Sequence, residues 1–201
     1  MMKKKDWDKV KLSELTKIYN YDETGNSFIV KVQLEDYRDA YSDWDFSPFL
    51  NRDLDDDLTE YLLECSYEIN YKYNLLIELH ILHQQYNPKR EERTRIGMVN
   101  YFGYQLKKLK NRKMRVFKDT IFFLVFGSIL LLSGGYIDTN FDTSIWLKLL
   151  SEGFYIGGWV MLWEMFSHWF FDMSKVNGKM KHFKRLKESE ITFIYEEHRR
   201  T

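Results

Sequence analysis

Glu164 and His168 stand four residues apart in an otherwise apolar stretch, so a helix there sets a carboxylate and an imidazole on one face. Gly153 and Gly157 repeat that spacing on nearly the same face, and small residues let helices approach closely in lipid. Ionisable groups inside a bilayer are costly and turn toward a bundle interior or a water-filled cavity. The stripe therefore has two readings. One is functional: an ion or proton site, or a polar seam between copies of the chain. The other is a Glu–His hydrogen bond near the membrane surface, since Asp172 follows two turns after Glu164.

A second group lies in a polar segment. Trp44, Asp45, Ser47, Arg52 and Asp53 fall within ten residues that also hold Phe46, Pro48 and Phe49. Loops of this composition are often binding surfaces for a cytosolic protein or a small-molecule signal. Arg52 suits an anionic ligand, and it equally suits the acids beside it. Other chemistry is sparse. Asp53 and Asp55 have no histidine at ligand spacing, and His80 and His83 are three apart on a strand, so no metal is expected. Cys65, the single cysteine, sits on the core face of a helix and reads as a small hydrophobe. There is no P-loop, no glycine-rich dinucleotide turn and no G-x-S-x-G. The chain thus reads as non-enzymatic and without a cofactor.

The apolar pattern supplies the elements that must hold these groups. Residues 120–137 carry no charge, and residues 145–171 are longer and mostly apolar. A hydrocarbon core of roughly 30 Å needs about 20 apolar residues in a helix. The pattern predicts a transmembrane hairpin of two spans over residues 119–172. Acids and bases balance overall, 30 of each, but they are segregated: residues 107–118 hold seven bases and no acid, while residues 35–64 hold eleven acids and only Arg38 and Arg52 as bases. Basic flanks stay on the cytoplasmic side. Both termini of this multi-pass chain are therefore expected in the cytoplasm. Beside apolar spans, the basic clusters suit anionic headgroups of the lipid bilayer better than nucleic acid.

The rest of the chain reads as a small cytosolic α+β module with about three strands. Alternation marks strands at residues 28–34, 73–82 and 190–196. A helix should start near Asp55, where Asp55, Asp56 and Asp57 oppose the helix dipole. Asn87-Pro88 reads as the start of a long amphipathic helix, and no breaker separates it from the first apolar stretch. The expected division is 1–118 for the module and linker helix, 119–172 for the hairpin, and 173–201 for a basic helix and a strand that rejoins the module.

Trp44-Asp45-Phe46-Ser47-Pro48-Phe49 with Arg52-Asp53-Leu54-Asp55 makes one distinctive stretch. Glu152-Gly153-Phe154-Tyr155-Ile156-Gly157-Gly158-Trp159 with Trp163-Glu164 makes another. Together they resemble a group of small bacterial two-span inner-membrane proteins of unassigned function. The resemblance implies the membrane and brings no activity. In architecture alone, a small module on two helices is similar to membrane effectors of phage defence. The leading expectation is an oligomeric, channel-like effector gated by its cytosolic module. The alternative is a membrane-anchored scaffold that recruits a cytosolic partner through residues 44–53.

Overall fold

The computed structural model describes residues 12–82, 86–141 and 144–196. Along the chain come α1 (described residues 12–18), β1 (Asn20–Asp22), β2 (Ser27–Leu34), α2 (Asp56–Glu68), β3 (Asn74–Leu82), α3 (Pro88–Asn140), α4 (Ile145–Ser167), α5 (Met173–Glu188) and β4 (Glu190–Glu196). They form two compact units. The chain passes from the first to the second after Leu106 and returns to the first after Met180.

The first unit is built on a four-stranded sheet in the order β1-β2-β3-β4. The β1–β2 turn is made by Asp22, whose carboxylate accepts from the Thr24 and Gly25 amides, and by Asn26 at φ 48°. Asparagine tolerates that left-handed conformation better than most residues. β1 and β2 are antiparallel, whereas β2–β3 and β3–β4 are parallel. Register sets Val30 beside Ile77 and Ile77 beside Ile191, so alternate apolar side chains of three strands share one buried face. That face meets buried residues of the helices: Leu58, Leu62 and Cys65 of α2, Met98 and Phe102 of α3, and Phe183 and Leu186 of α5. α2 begins where the acids stand: the Asp55 side chain accepts from the Leu58 amide, and Asp56 and Asp57 occupy its first turn.

The end of α2 is held by a residue far away in sequence. The Arg185 guanidinium donates to the carbonyls of Ser66 (3.0 Å), Ile69 (2.6 Å), Asn70 (3.2 Å) and Tyr73 (2.8 Å). It also lies 5.2 Å from the centre of the Tyr71 ring. The last carbonyls of a helix have no partner within the helix, and a cation at that end also suits the dipole. One turn earlier, His182 is 7% exposed, with Nδ1 2.9 Å from Ser66 Oγ. Its ring lies 3.8 Å from that of Tyr67 and 5.0 Å from that of Tyr71.

Burial first, and then the charge of Arg185, depress the His182 pKa below its ordinary 6.5. The folded state therefore favours the neutral ring, and the unfolded chain binds the extra proton. This contribution to stability is present above the ordinary value and is lost as pH falls below it. A chemical-denaturation series should show the first unit weakening from about pH 6.5 downward, with His182→Gln flattening that part of the profile. An unchanged profile in the variant would remove His182 as the cause.

In the second unit, α4 packs antiparallel to the apolar half of α3. A Cβ at Gly127 would lie 3.1 Å from the Gly158 carbonyl oxygen, and one at Gly134 would lie 3.1 Å from that of Ser151. On each helix the small residues are seven apart, which keeps them on one seam. A Cβ at Gly158 would lie 2.7 Å from the Leu131 side chain and 3.0 Å from the Gly127 carbonyl oxygen, so the two backbones approach closely there and Leu131 packs directly on the glycine. The outer surface of the pair is apolar and includes exposed Phe122, Leu132, Trp146, Ile156, Trp163 and Phe171.

The expected fold class, a two-span transmembrane hairpin with a three-stranded module, is corrected here. Among the described residues, one helix is long and apolar enough to cross a bilayer, and it is α3. α4 falls short because its 23 residues include Lys148, Glu152 and Glu164, whereas residues 120–137 are uncharged. α3 is a single helix of 53 residues, continuous from Pro88 through the apolar stretch, as the lack of a breaker led one to expect. The sheet has four strands, because three residues after α1 turn back on β2.

Candidate functional site

Residues 41–55 form a loop closed at its neck. Tyr41 and Leu54 make a β-bridge, the Ser42 amide donates to the Asp53 carbonyl (3.0 Å), and the Asp55 amide donates to that of Ala40 (3.1 Å). Asp45 then ties the interior. Its Oδ1 accepts from the Ser47 amide (2.9 Å) and its Oδ2 from the Asp53 amide (2.7 Å). The Ser47 hydroxyl and these two amides hold the Asp45 carboxyl below the usual carboxylate range. After Pro48 the chain makes a single 3-10 turn, Phe49–Asn51. Proline presets the backbone for such a turn.

The loop docks on the first turns of α3. Tyr41 packs on Phe49 with ring centres 4.6 Å apart, and its hydroxyl donates to the Thr94 carbonyl (3.4 Å). Burial pushes its phenol up to about 12. A Cβ at position 97 would run into the hydroxyl of the buried Tyr41, so a larger residue there requires that ring to shift. The Asn100 side chain donates to the Leu50 carbonyl (3.1 Å). Between loop and helix lies a cleft of about 440 Å³ lined by Asp45, Ser47, Asn51, Arg52, Asp53, Asn100, Tyr101 and Tyr104. At its edge, Trp44 and Phe46 are each 97% exposed.

The structure therefore brings Asp45, Ser47, Arg52 and Asp53 into one cleft and leaves Trp44 projecting beside it. Arg52 is turned inward: Nη2 donates to the Ser47 carbonyl (3.4 Å), and Nε is buried without a hydrogen-bond partner. The lining supplies carboxylates, amides, phenols and a guanidinium, which bind ligands by hydrogen bonds and charge. The contribution of α3 was not read from sequence. Its signal was present: Asn100 and Tyr104 share a face four residues apart within an amphipathic helix.

The stripe of Gly153, Gly157, Glu164 and His168 divides differently. His168 pairs onward, with Nδ1 2.8 Å from Asp172 Oδ2, and its ring stacks on Phe123 at 5.3 Å. Residues His168–Asp172 form a π-helical turn between α4 and α5. Gly157 touches α3 only through Leu130 (3.4 Å from a built Cβ), and Gly153 faces open space. Glu164 is exposed. The close helix contact therefore falls on Ser151 and Gly158, and not on the Gly153 and Gly157 that the GxxxG spacing chooses.

Among the described residues, no three His, Cys, Asp or Glu side chains gather as metal ligands. His83 lies outside the described residues. Searches for a matching family model, curated protein or solved structure found none.

Proposed function

We propose that this chain is a non-enzymatic, membrane-anchored binding protein of a bacterial inner membrane, whose loop 44–53 recruits a cytosolic partner. The observation that carries the reading is the exposure of Trp44 and Phe46 on a loop tied at its neck and across its middle. Burying a large apolar side chain is worth about 1.5–3 kcal/mol. A fixed backbone that holds two such rings in water presents ready anchors to a partner. The anchor is α3, with the cations of residues 107–118 just before its uncharged stretch. On this reading that basic flank keeps the start of the anchor on the cytoplasmic side.

A photoreactive residue at position 43 in growing cells tests the reading. The wild-type loop should give a discrete crosslinked adduct. Trp44→Ala with Arg52→Ala should remove the adduct and leave the amount of membrane-integrated protein unchanged. No adduct from the wild-type loop, or a collapse in yield, would sink the recruitment role.

One observation favours a second reading, a homo-oligomeric, channel-like effector. Glu164 is exposed on an apolar helix surface, and Gly153 on the same helix has open space in front of it. A second copy seated there would shield the carboxylate. Glu164→Gln should then abolish dye permeability of cells expressing the protein while crosslinked oligomers persist. Unchanged permeability, or a monomer in detergent, counts against it.

A further inference from the structure

We infer that the partner docks on loop 44–53 through an arginine- or lysine-rich linear segment. This rests on the binding role of the loop and adds the chemistry of what binds. The first ground is uncompensated charge. Residues 35–64 hold eleven acids and two bases. Arg38 is 3.2 Å from Asp36, and Arg52 is turned into the loop. Neither base lies free beside Asp43, Asp53, Asp56 and Asp57, all of which are exposed. Asp53 lines the cleft, Asp43 adjoins Trp44, and Asp56 and Asp57 open α2 immediately after the neck.

The second ground is the aromatic surface set among those acids. Trp44 and Phe46 are almost fully exposed, and the half-exposed Tyr104 lines the cleft together with the buried Tyr101. A guanidinium stacks favourably on such rings, and tryptophan is the strongest partner. The charges of Asp53 and Asp56 reach Tyr101, where they add to burial in raising its phenol, so carboxylates and ring share one field. A segment that places a cation in the cleft and apolar side chains on Trp44 and Phe46 satisfies both features. Its association should be fast and salt-sensitive, as for any complex steered by opposite charge.

The test uses the full chain in nanodiscs of zwitterionic lipid and three labelled peptides of equal length and equal apolar content. Arginine, glutamine or glutamate fills their variable positions. Fluorescence anisotropy should show the arginine peptide binding about tenfold more tightly than the glutamine peptide. Added salt should erase that difference. Asp53→Asn with Asp56→Asn and Asp57→Asn should erase it too, without changing how the glutamine peptide binds. Trp44→Ala should weaken every peptide that binds.

Equal binding of the arginine and glutamine peptides, or preference for glutamate, overturns the basic-segment inference and leaves the loop as a docking site. Arginine-peptide binding that ignores Trp44→Ala overturns it as well, by moving the contact elsewhere. If no peptide binds and the loop instead supports Trp44-dependent self-association, the occupant is a second copy, and the inference falls. The photocrosslink at position 43 reads the recruitment role independently of all three peptides.

Discussion

Replacing Arg185 by alanine is expected to lower the stability of the sheet unit by about 3 kcal/mol, a large part of what a small unit possesses. The side chain is the shared partner of four carbonyls, at Ser66, Ile69, Asn70 and Tyr73. Hydrogen bonds to a charged group are worth roughly 1.5–3 kcal/mol each, and sharing one donor group keeps the total well below the sum. Alanine leaves the end of α2 uncapped and removes the contact with Tyr71. Lysine retains the charge but offers donors from one point, so it cannot span carbonyls that a planar fork reaches together. Arg185→Lys should fall between wild type and Arg185→Ala. Urea unfolding in detergent would measure the series, and an alanine variant within about 1 kcal/mol of wild type would show that Arg185 is not the clasp described.

The other large effect is expected on the seam between α3 and α4. Gly158→Leu drives a branched side chain into Leu131 and the Gly127 carbonyl, where even a Cβ is already too close. Overpacking typically costs 1–3 kcal/mol, and here the obstruction includes backbone that does not yield by changing rotamer. Spin labels at Ile129 and Val160 should report a wider separation in Gly158→Leu. Gly153→Leu should leave the distance alone, because nothing lies within 4 Å of a Cβ there. Equal effects from the two substitutions would rule out the seam as assigned.

The contrast between these glycines shows what was legible in the sequence. Strand alternation exposes itself residue by residue, so β2, β3 and β4 fall where Phe28, Leu75 and Ile191 begin their apolar runs. The acids before Leu58 likewise mark the start of α2. Helix pairing is harder to read. GxxxG spacing picks Gly153 and Gly157, while the packed positions are Ser151 and Gly158, and only the neighbour on α3 distinguishes them. Length misleads about crossing a membrane: residues 145–171 are long enough, but Lys148, Glu152 and Glu164 interrupt them. The loop was visible through its composition. What fixes it was not, because Asp45 bonds to a backbone amide eight residues away, and Asn100 arrives from α3. Arg185 left no trace at all, since its partners are carbonyls, which every residue possesses.

The pairing of β3 with β4 also dictates a schedule of synthesis. About a hundred residues separate Leu82 from Glu190, and the apolar stretch of α3 lies among them. At 5–20 residues per second, roughly 5 to 20 seconds pass between the emergence of the two strands. Throughout that interval β3 has one unpaired edge, and its apolar face lacks α5. An open strand edge invites pairing with other chains. Ribosomes that stall within α4 would thus release chains with α3 complete and the sheet unfinished. Such products are natural substrates for chaperones and proteases, and each surviving molecule carries in β4 a marker that its translation reached the end of the sheet.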